Sequence, residues 1–267
     1  MQQITGIKDE AYRDAVALTR PGERATQKKY LVEGVGLVRQ ALASPSPVLA
    51  VYAIDEEAPG LYEQCKHLNV PLYVIGAGLV AKLVGTSYET AVTAVAIVGQ
   101  LLLDENSIAL QPDTLLLVGE RIQDPRNVGV LIRTAEAAGC TALVLSHDSA
   151  EPFSRAAVRS TTGSILRLPL CLPHDLPALL NTLRQQGAQV IATSARTSHS
   201  VYNTNLKGSP LAIVVGNETE GISDPVRDAA SHFVALPMAP NGASSLNVTV
   251  AAGVLLYEAV RQRRSAI

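Results

Sequence analysis

The chain has 267 residues, of which 47% are hydrophobic and 17% are charged, and its formal net charge is −2. This length and composition predict one large or two ordinary folded domains with a sizeable core, and they exclude bulk disorder. The apolar runs are far shorter than the ~20 residues that a membrane-spanning helix needs, and no secretory signal is visible. We therefore expect a cytoplasmic protein without a membrane segment.

The first hundred residues alternate between the sequence patterns of helices and of strands. The patterns predict helices at 11–19, 35–43, 61–68 and 79–84, and strands at 29–33, 48–54, 71–75 and 91–98. Such alternation is typical of a small α/β/α sandwich. Polar residues interrupt the pattern near residue 105, so we divide the chain into a domain at 1–104, a linker at 105–113 and a second domain at 114–267.

Positive charge is concentrated in the N-terminal domain, although the whole chain is slightly acidic. RNA binding needs a local basic patch rather than a basic average, so this domain can hold an RNA-binding surface. A solvated charged face is the alternative interpretation of the same residues. The candidate RNA-binding residues are Arg20, Arg24, Lys28, Lys29 and Arg39.

The second half of the chain reads as apolar strands separated by helices. Strands are predicted at 115–118, 142–145, 165–168, 190–193, 211–215 and 233–236, and helices at 128–138 and from near 246 to 264. Because these strands are apolar throughout, we expect a parallel sheet that is covered on both faces. Residues suited to cap or start a helix come before the predicted helices, namely Asn127, Asp224 with Pro225, Ser244, Ser245 and Asn247.

Cysteine and histidine are too scattered to form a metal site. The three cysteines form no C-x-x-C pair, so reduced thiols are expected rather than disulfides. The five histidines show no metal-ligand spacing, and we predict no metal. Neither a dinucleotide-binding glycine motif nor a P-loop is present in the sequence.

Three polar loops follow strands of the second domain, and ligands bind beyond the carboxyl ends of such strands. Their motifs are Asn127-x-Gly129-x-x-x-Arg133, then Gly216-Asn217-Glu218-x-x-Gly221-Ile222-Ser223, then Pro237-Met238 followed by Ser245-Leu246-Asn247-Val248. In this order they resemble the three motifs of the SpoU (TrmH-like) RNA ribose 2′-O-methyltransferases, which belong to the SPOUT class. The resemblance covers roughly residues 115–264. It implies S-adenosylmethionine as cofactor and a parallel-sheet α/β/α domain that ends in a trefoil knot.

The resemblance also implies which residues act. The catalytic residues would be Asn127, Arg133, Glu218, Ser245 and Asn247. The cofactor would be held by Thr193, Gly216, Asn217, Leu236, Met238, Ser245 and Leu246. Arg133 has been proposed as the base in this family. A guanidinium keeps its proton far above neutral pH, so we expect Arg133 to clamp a phosphate or stabilise the developing alkoxide. Without the resemblance, a surface pair with Glu136 would be the simpler interpretation.

Two further features bear on the resemblance. Tyr30-Leu-Val-Glu33-Gly34 resembles the start of the ribosomal-protein-like domain that often precedes the SpoU catalytic domain and binds its substrate. This favours ribosomal RNA, above all 23S rRNA, over tRNA. Pro240 stands where the family usually has glycine and the loop is one residue longer, so the cofactor contacts of residues 238–242 are expected to differ.

The last helix predicts the oligomeric state. Its apolar residues recur at helical spacing, and together with the resemblance they predict a homodimer built around the knot and this helix. Burial of the same stripe within one subunit is the alternative. The stripe consists of Val248, Ala252, Leu255, Leu256 and Ala259.

Three other functions are compatible with parts of the sequence. A tRNA ribose 2′-O-methyltransferase would need the same motifs. A non-catalytic RNA-binding or ribosome-assembly protein could keep the fold, but retention of Arg133, Glu218 and Asn247 together argues against it. A small-molecule α/β enzyme is disfavoured by the basic N-terminal domain.

Overall fold

The computed structural model describes residues 1–85, 92–194, 197–207, 210–240, 242 and 245–264. The chain forms two compact units. The first consists of Met1–Leu101 together with Glu151–Arg167, and the second of Leu102–Ala150 together with Leu168–Ile267. The sequence predicted that the chain passes from the first domain to the second only once. In the structure it returns, because the segment 151–167 belongs to the first unit.

Eleven strands and ten α-helices are defined in the described part of the chain. The strands are β1 Gln2–Ile4, β2 Lys29–Glu33, β3 Val48–Ala53, β4 Leu72–Ile75, β5 Ala94–Gly99, β6 Leu115–Gly119, β7 Ala142–Leu145, β8 Leu170–Cys171, β9 Gln189–Thr193, β10 Leu211–Val215 and β11 His232–Val234. The helices are α1 Glu10–Ala17, α2 Pro21–Gln27, α3 Val35–Leu42, α4 Ala58–His67, α5 Ala77–Val84, α6 Pro125–Ala137, α7 Arg155–Thr161, α8 Leu176–Gln185, α9 Asp224–Ala229 and α10 Val248–Arg264.

The first unit is built on a five-stranded mixed sheet with the strand order β1-β4-β3-β5-β2. Strand β5 runs antiparallel to both of its neighbours, β2 and β3. Aliphatic and tyrosine side chains fill the core, among them Tyr12, Leu18, Tyr52 and Leu83. The order of strands and helices at 29–84 follows the prediction, since apolar periodicity decides these elements locally.

The second unit contains a six-stranded sheet with the order β11-β9-β10-β6-β7-β8, and every pair of neighbours is parallel. Every residue of β6 and β10 is buried, which is what a parallel sheet with helices on both faces requires. The predicted parallel-sheet α/β fold is therefore confirmed. The trefoil knot stays a prediction of the resemblance.

The predicted strand at 165–168 is wrong. Ser164–Leu166 forms a 3-10 helix in the first unit, and the strand that enters the second sheet is the two-residue β8. Ser46 Oγ donates a hydrogen bond of 2.9 Å to the Leu166 carbonyl, so a contact 120 positions away fixes this turn. Residues of the expected linker also pack, since Ile108 is only 8% exposed in the core of the second unit.

The apolar stripe predicted for the dimer interface is buried within its own unit. Its members, Val248, Ala252, Leu255, Leu256 and Ala259, are each 6% exposed or less. The exposed apolar residues of α10 are instead Val250 and Tyr257, at 50% and 53%. Within the described ranges, no helix is long and apolar enough to cross a membrane.

Candidate active site

A hydrogen-bonded chain of three side chains joins the three polar loops. Asn127 Nδ2 donates to Glu218 Oε1 over 2.7 Å, and Asn247 Nδ2 donates to Asn127 Oδ1 over 3.4 Å. Each residue comes from a different motif, and the loops meet because parallel strands present their carboxyl ends at one edge. The fold therefore brings together three of the five predicted catalytic residues.

The N-terminus of α6 places Asn127 differently from the prediction. The N-cap is Asp124, whose side chain accepts a hydrogen bond of 2.8 Å from the Arg126 N–H, and the helix begins at Pro125. Side-chain hydrogen bonds from Arg126 also lower the pKa of the Asp124 carboxyl. Asn127 is consequently an intrahelical residue whose amide is free to bind the other two loops rather than to cap the helix.

The loop after β10 begins with a tight turn that has room only for glycine at position 216. A Cβ on Gly216 would lie 2.6 Å from both the carbonyl carbon and the oxygen of Gly221, so two backbone stretches meet here without a side chain between them. Asn217 and Gly221 exchange both backbone hydrogen bonds. The Asn217 Oδ1 atom accepts from the N–H groups of Thr219 and Glu220, which holds the turn that presents Glu218.

Glu120 and Arg121 tie this turn to the loop after β6, and neither residue was predicted to have a role. Glu120 is 4% exposed, and its carboxylate accepts from the Ser223 N–H over 2.9 Å and from the Ser223 hydroxyl. Arg121 binds Glu220 through Nη1, while its carbonyl accepts from Asn217 Nδ2 over 2.9 Å. Their position directly after an apolar strand was the available signal, because a buried strand end holds charged residues only when they are paired.

The described residues of the third loop include one hydrogen-bonded turn and the cap of α10. The Gly242 N–H donates to the Ala239 carbonyl over 3.0 Å, and Pro240 occupies the second position of this turn, where its fixed φ is favourable. Asn247 caps α10, since its Oδ1 accepts from the Thr249 N–H over 2.9 Å. Ser245 is exposed, and Ser244, the other suggested cap, lies outside the described residues.

The predicted cofactor residues lie at the ends of the three strands that carry these loops. Thr193 ends β9 and pairs with Val234, and Gly216 follows β10 directly. Met238 and Leu246 are large apolar side chains that remain 37% and 41% exposed. Leu236 is half-buried on the same stretch as Met238. Exposed apolar side chains and a polar backbone turn thus follow strands of the same sheet.

Arg133 does not join the hydrogen-bonded chain. It lies on α6 six residues after Asn127, and six residues turn a helix by about 600°, so the two side chains leave it on faces about 120° apart. Arg133 is exposed and makes no hydrogen bond or ion pair with the residues that the structure describes, Glu136 included. It shares its face with Val130, which is 36% exposed.

The structure separates the candidate RNA-binding residues of the first unit. Arg24 is only 7% exposed, and its Nε and Nη2 atoms each donate over 2.6 Å to the Glu151 carboxylate, so it is held in the fold and is not accessible to RNA. Arg20, Lys28 and Arg39 are exposed, and Lys29 is half-buried.

No metal site is found within the described residues, because no three His, Cys, Asp or Glu side chains gather there. All three cysteines are buried free thiols. Burial raises the pKa of Cys140 to about 12, so this thiol stays protonated and unreactive.

Comparison with known proteins decides the family. The sequence model of the SpoU rRNA Methylase family matches residues 114–257, more than half of the chain. The chain belongs to the SpoU rRNA methylase family. The matched range contains all three motifs, so the family and enzyme class predicted from the motifs are confirmed.

Individual relatives are similar over nearly the whole chain. An uncharacterized tRNA/rRNA methyltransferase of Synechocystis is 33% identical over 98% of this chain and 95% of its own. The 23S rRNA (guanosine-2′-O-)-methyltransferase RlmB of Photobacterium profundum is 31% identical over 88% of this chain and 98% of its own. A crystal structure of an AdoMet-bound rRNA methyltransferase from Sinorhizobium meliloti matches with a TM-score of 0.85 and 25% identity, covering 97% of each chain.

Proposed function

We propose that this protein is a cytoplasmic enzyme that transfers a methyl group from S-adenosylmethionine to a ribose 2′-hydroxyl of 23S rRNA. The observation that carries the proposal is the hydrogen-bonded chain of Glu218, Asn127 and Asn247, which joins all three family motifs. The name of the Photobacterium relative supports the substrate, and the AdoMet-bound structure supports the cofactor.

The strand-end residues fit S-adenosylmethionine. Met238 and Leu246 offer exposed apolar surface of the kind that covers an adenine ring, and the glycine turn at Gly216 lets backbone groups come close to a ligand. We assign the cofactor to these residues together with Thr193, Asn217, Leu236 and Ser245. When bound, the cofactor supplies a methyl group on a positively charged sulfonium, from which a neutral thioether leaves readily.

The remaining chemistry is alignment of the hydroxyl and removal of its proton. Glu218 Oε1 is occupied by Asn127, which leaves Oε2 of the same carboxylate to accept a hydrogen bond from the ribose hydroxyl. Asn127 is itself held by Asn247, so the carboxylate is presented in one orientation. Arg133 supplies the positive charge that clamps an RNA phosphate or stabilises the developing alkoxide.

We further propose a homodimer in which Arg133 of one subunit completes the site of the other. Within one chain Arg133 leaves α6 away from Asn127, beside the exposed Val130. Val250 and Tyr257 lie seven residues apart, hence on one face of α10, and add exposed apolar surface to the same unit. Covering this surface with a second copy would bring Arg133 to a partner's loops.

Methyl transfer to RNA classes tests the proposal. The protein is incubated with tritiated S-adenosylmethionine and, separately, with 23S rRNA, 16S rRNA and tRNA from cells that lack it. We expect label in 23S rRNA, with Asn127→Ala as the inactive control. Label in tRNA alone would identify the tRNA enzyme considered above, and label in no RNA would favour the non-catalytic alternative.

A further inference from the structure

The segment 151–167 is fixed to the first unit along its edge strand β2, as far as the last residue of that strand. Arg24 is paired with Glu151, the ring of Tyr30 lies 5.1 Å from that of Phe153, and Glu33 is bound by Arg155. The two stretches therefore run side by side, because successive residues of 24–33 contact successive residues of 151–155. The segment carries three arginines and one carboxylate, so it brings positive charge to β2.

Two arginines of this segment share a single buried carboxylate. Arg155 Nε lies 2.6 Å from Glu33 Oε1, and Arg159 Nη1 lies 3.7 Å from Glu33 Oε2. The Glu33 side chain is 7% exposed, whereas those of Arg155 and Arg159 are 39% and 51% exposed. One negative charge cannot neutralise two guanidinium groups, so a net positive charge faces solvent, held in place by Glu33.

The same strand carries positive charge at its other end. Lys28 is exposed immediately before β2, and Lys29 is half-buried at its first position. Strand residues rise ~3.3 Å each, so Lys29 and Glu33 lie about 13 Å apart along the strand. Because β2 is an edge strand, the basic groups at its two ends line one rim of the sheet.

We propose that Arg155 and Arg159, together with Lys28 and Lys29, bind the sugar–phosphate backbone of the RNA substrate; the proposal rests on the proposed function. Backbone contact is favoured over base recognition, because the two aromatic side chains here, Tyr30 and Phe153, are buried and offer no stacking surface. Arg155 and Arg159 take the role that was predicted for Arg24, because the guanidinium of Arg24 is already bound to Glu151 inside the fold.

The salt dependence of RNA binding tests the proposal. Each phosphate contact to a single strand contributes about 0.7 to the slope of log Kd against log salt, so Arg159→Gln should lower that slope by about this amount and weaken binding at low salt. Arg159→Lys should keep most of the slope, because it keeps the charge. Arg13→Gln is the matched control, since it removes an exposed arginine from α1 of the same unit.

Three readouts keep the outcomes distinct. An unchanged slope for Arg159→Gln, or an equal decrease for Arg13→Gln, would overturn the proposal. Arg159→Gln should keep the thermal stability of the parent and its turnover at saturating RNA, with the loss confined to KM; a loss of turnover or folding instead would make the arginine structural and overturn it too. If the parent binds RNA with the expected slopes but transfers no methyl group, the binding surface stands and the proposed function fails.

Discussion

At the scale of single residues, the proposed chemistry depends most on Arg133, which the described fold leaves without a partner. Arg133→Ala should lower the methyl-transfer rate by at least about 100-fold, the usual cost of losing one group that stabilises transition-state charge. Its affinity for S-adenosylmethionine should stay nearly unchanged, since its expected partners are RNA phosphate and ribose oxygen. Single-turnover kinetics and calorimetric titration measure the two quantities.

Arg126→Ala is the matched control for that experiment. Arg126 is a second exposed arginine of α6 and is bound to the Asp124 cap rather than to the site. It should retain activity. An Arg133→Ala protein that fails to bind the cofactor, or that keeps full activity, would show that its assigned role is wrong.

Glu120 acts through the turn that it holds. Glu120→Gln keeps the shape of the side chain but replaces one acceptor of the two Ser223 hydrogen bonds by a donor, at a cost of about 1–3 kcal/mol for a buried unsatisfied group. We expect a raised dissociation constant for S-adenosylmethionine, because Gly216 and Asn217 belong to the same turn. Ser223→Ala, which keeps the backbone donor, should have a smaller effect. Unaltered cofactor affinity in a folded Glu120→Gln protein would refute the positioning role.

At the scale of helices and strands, the sequence predicted correctly the elements that depend on local apolar patterns. Strands β6 and β10 are apolar throughout and are buried throughout, so their place inside a parallel sheet could be read directly. The polar loops that follow them were recognisable as candidate binding loops because ligands bind beyond the carboxyl ends of parallel strands.

Contacts between distant positions account for the failures. The apolar residues at 165–168 resemble a strand, but short apolar runs also occur in buried turns. Here residues 164–166 form such a turn, which packs in the first unit and accepts a hydrogen bond from Ser46. Arg24 looks like a surface cation until Glu151, 127 positions later, is placed beside it. The cap of α6 is Asp124 and not the predicted Asn127, because the helix begins at Pro125, earlier than its apolar spacing suggests.

Helix α10 makes the stability of the second unit depend on pH. Hydrogen bonds from Arg261 lower the pKa of Glu258 to about 2, against 4.5 for the free side chain. A carboxyl with a lowered pKa stabilises the folded state above its unfolded pKa and loses that contribution as the pH falls through its folded pKa. Glu258→Gln should therefore reduce the urea midpoint at pH 7 and have a much smaller effect near pH 2. An equal reduction at both pH values would contradict this account.

At the scale of the whole molecule, the proposed sharing of a site between subunits predicts complementation between two inactive chains. Mixing Arg133→Ala with Asn127→Ala chains and letting them exchange gives mixed dimers in which one site has both residues intact. If subunits pair at random, about a quarter of the parent activity should return. Activity that stays at zero, in a preparation that sedimentation shows to be dimeric and exchanged, would show that each site takes Arg133 and Asn127 from the same subunit and would contradict the shared site.

The most direct test of the central claim is the position of the methyl group. 23S rRNA from cells lacking this protein is treated with the enzyme and S-adenosylmethionine, digested to nucleosides and analysed by mass spectrometry. The account predicts one new nucleoside whose added methyl fragments with the ribose, absent when the Asn127→Ala protein is used. A methyl group that fragments with the base would contradict it.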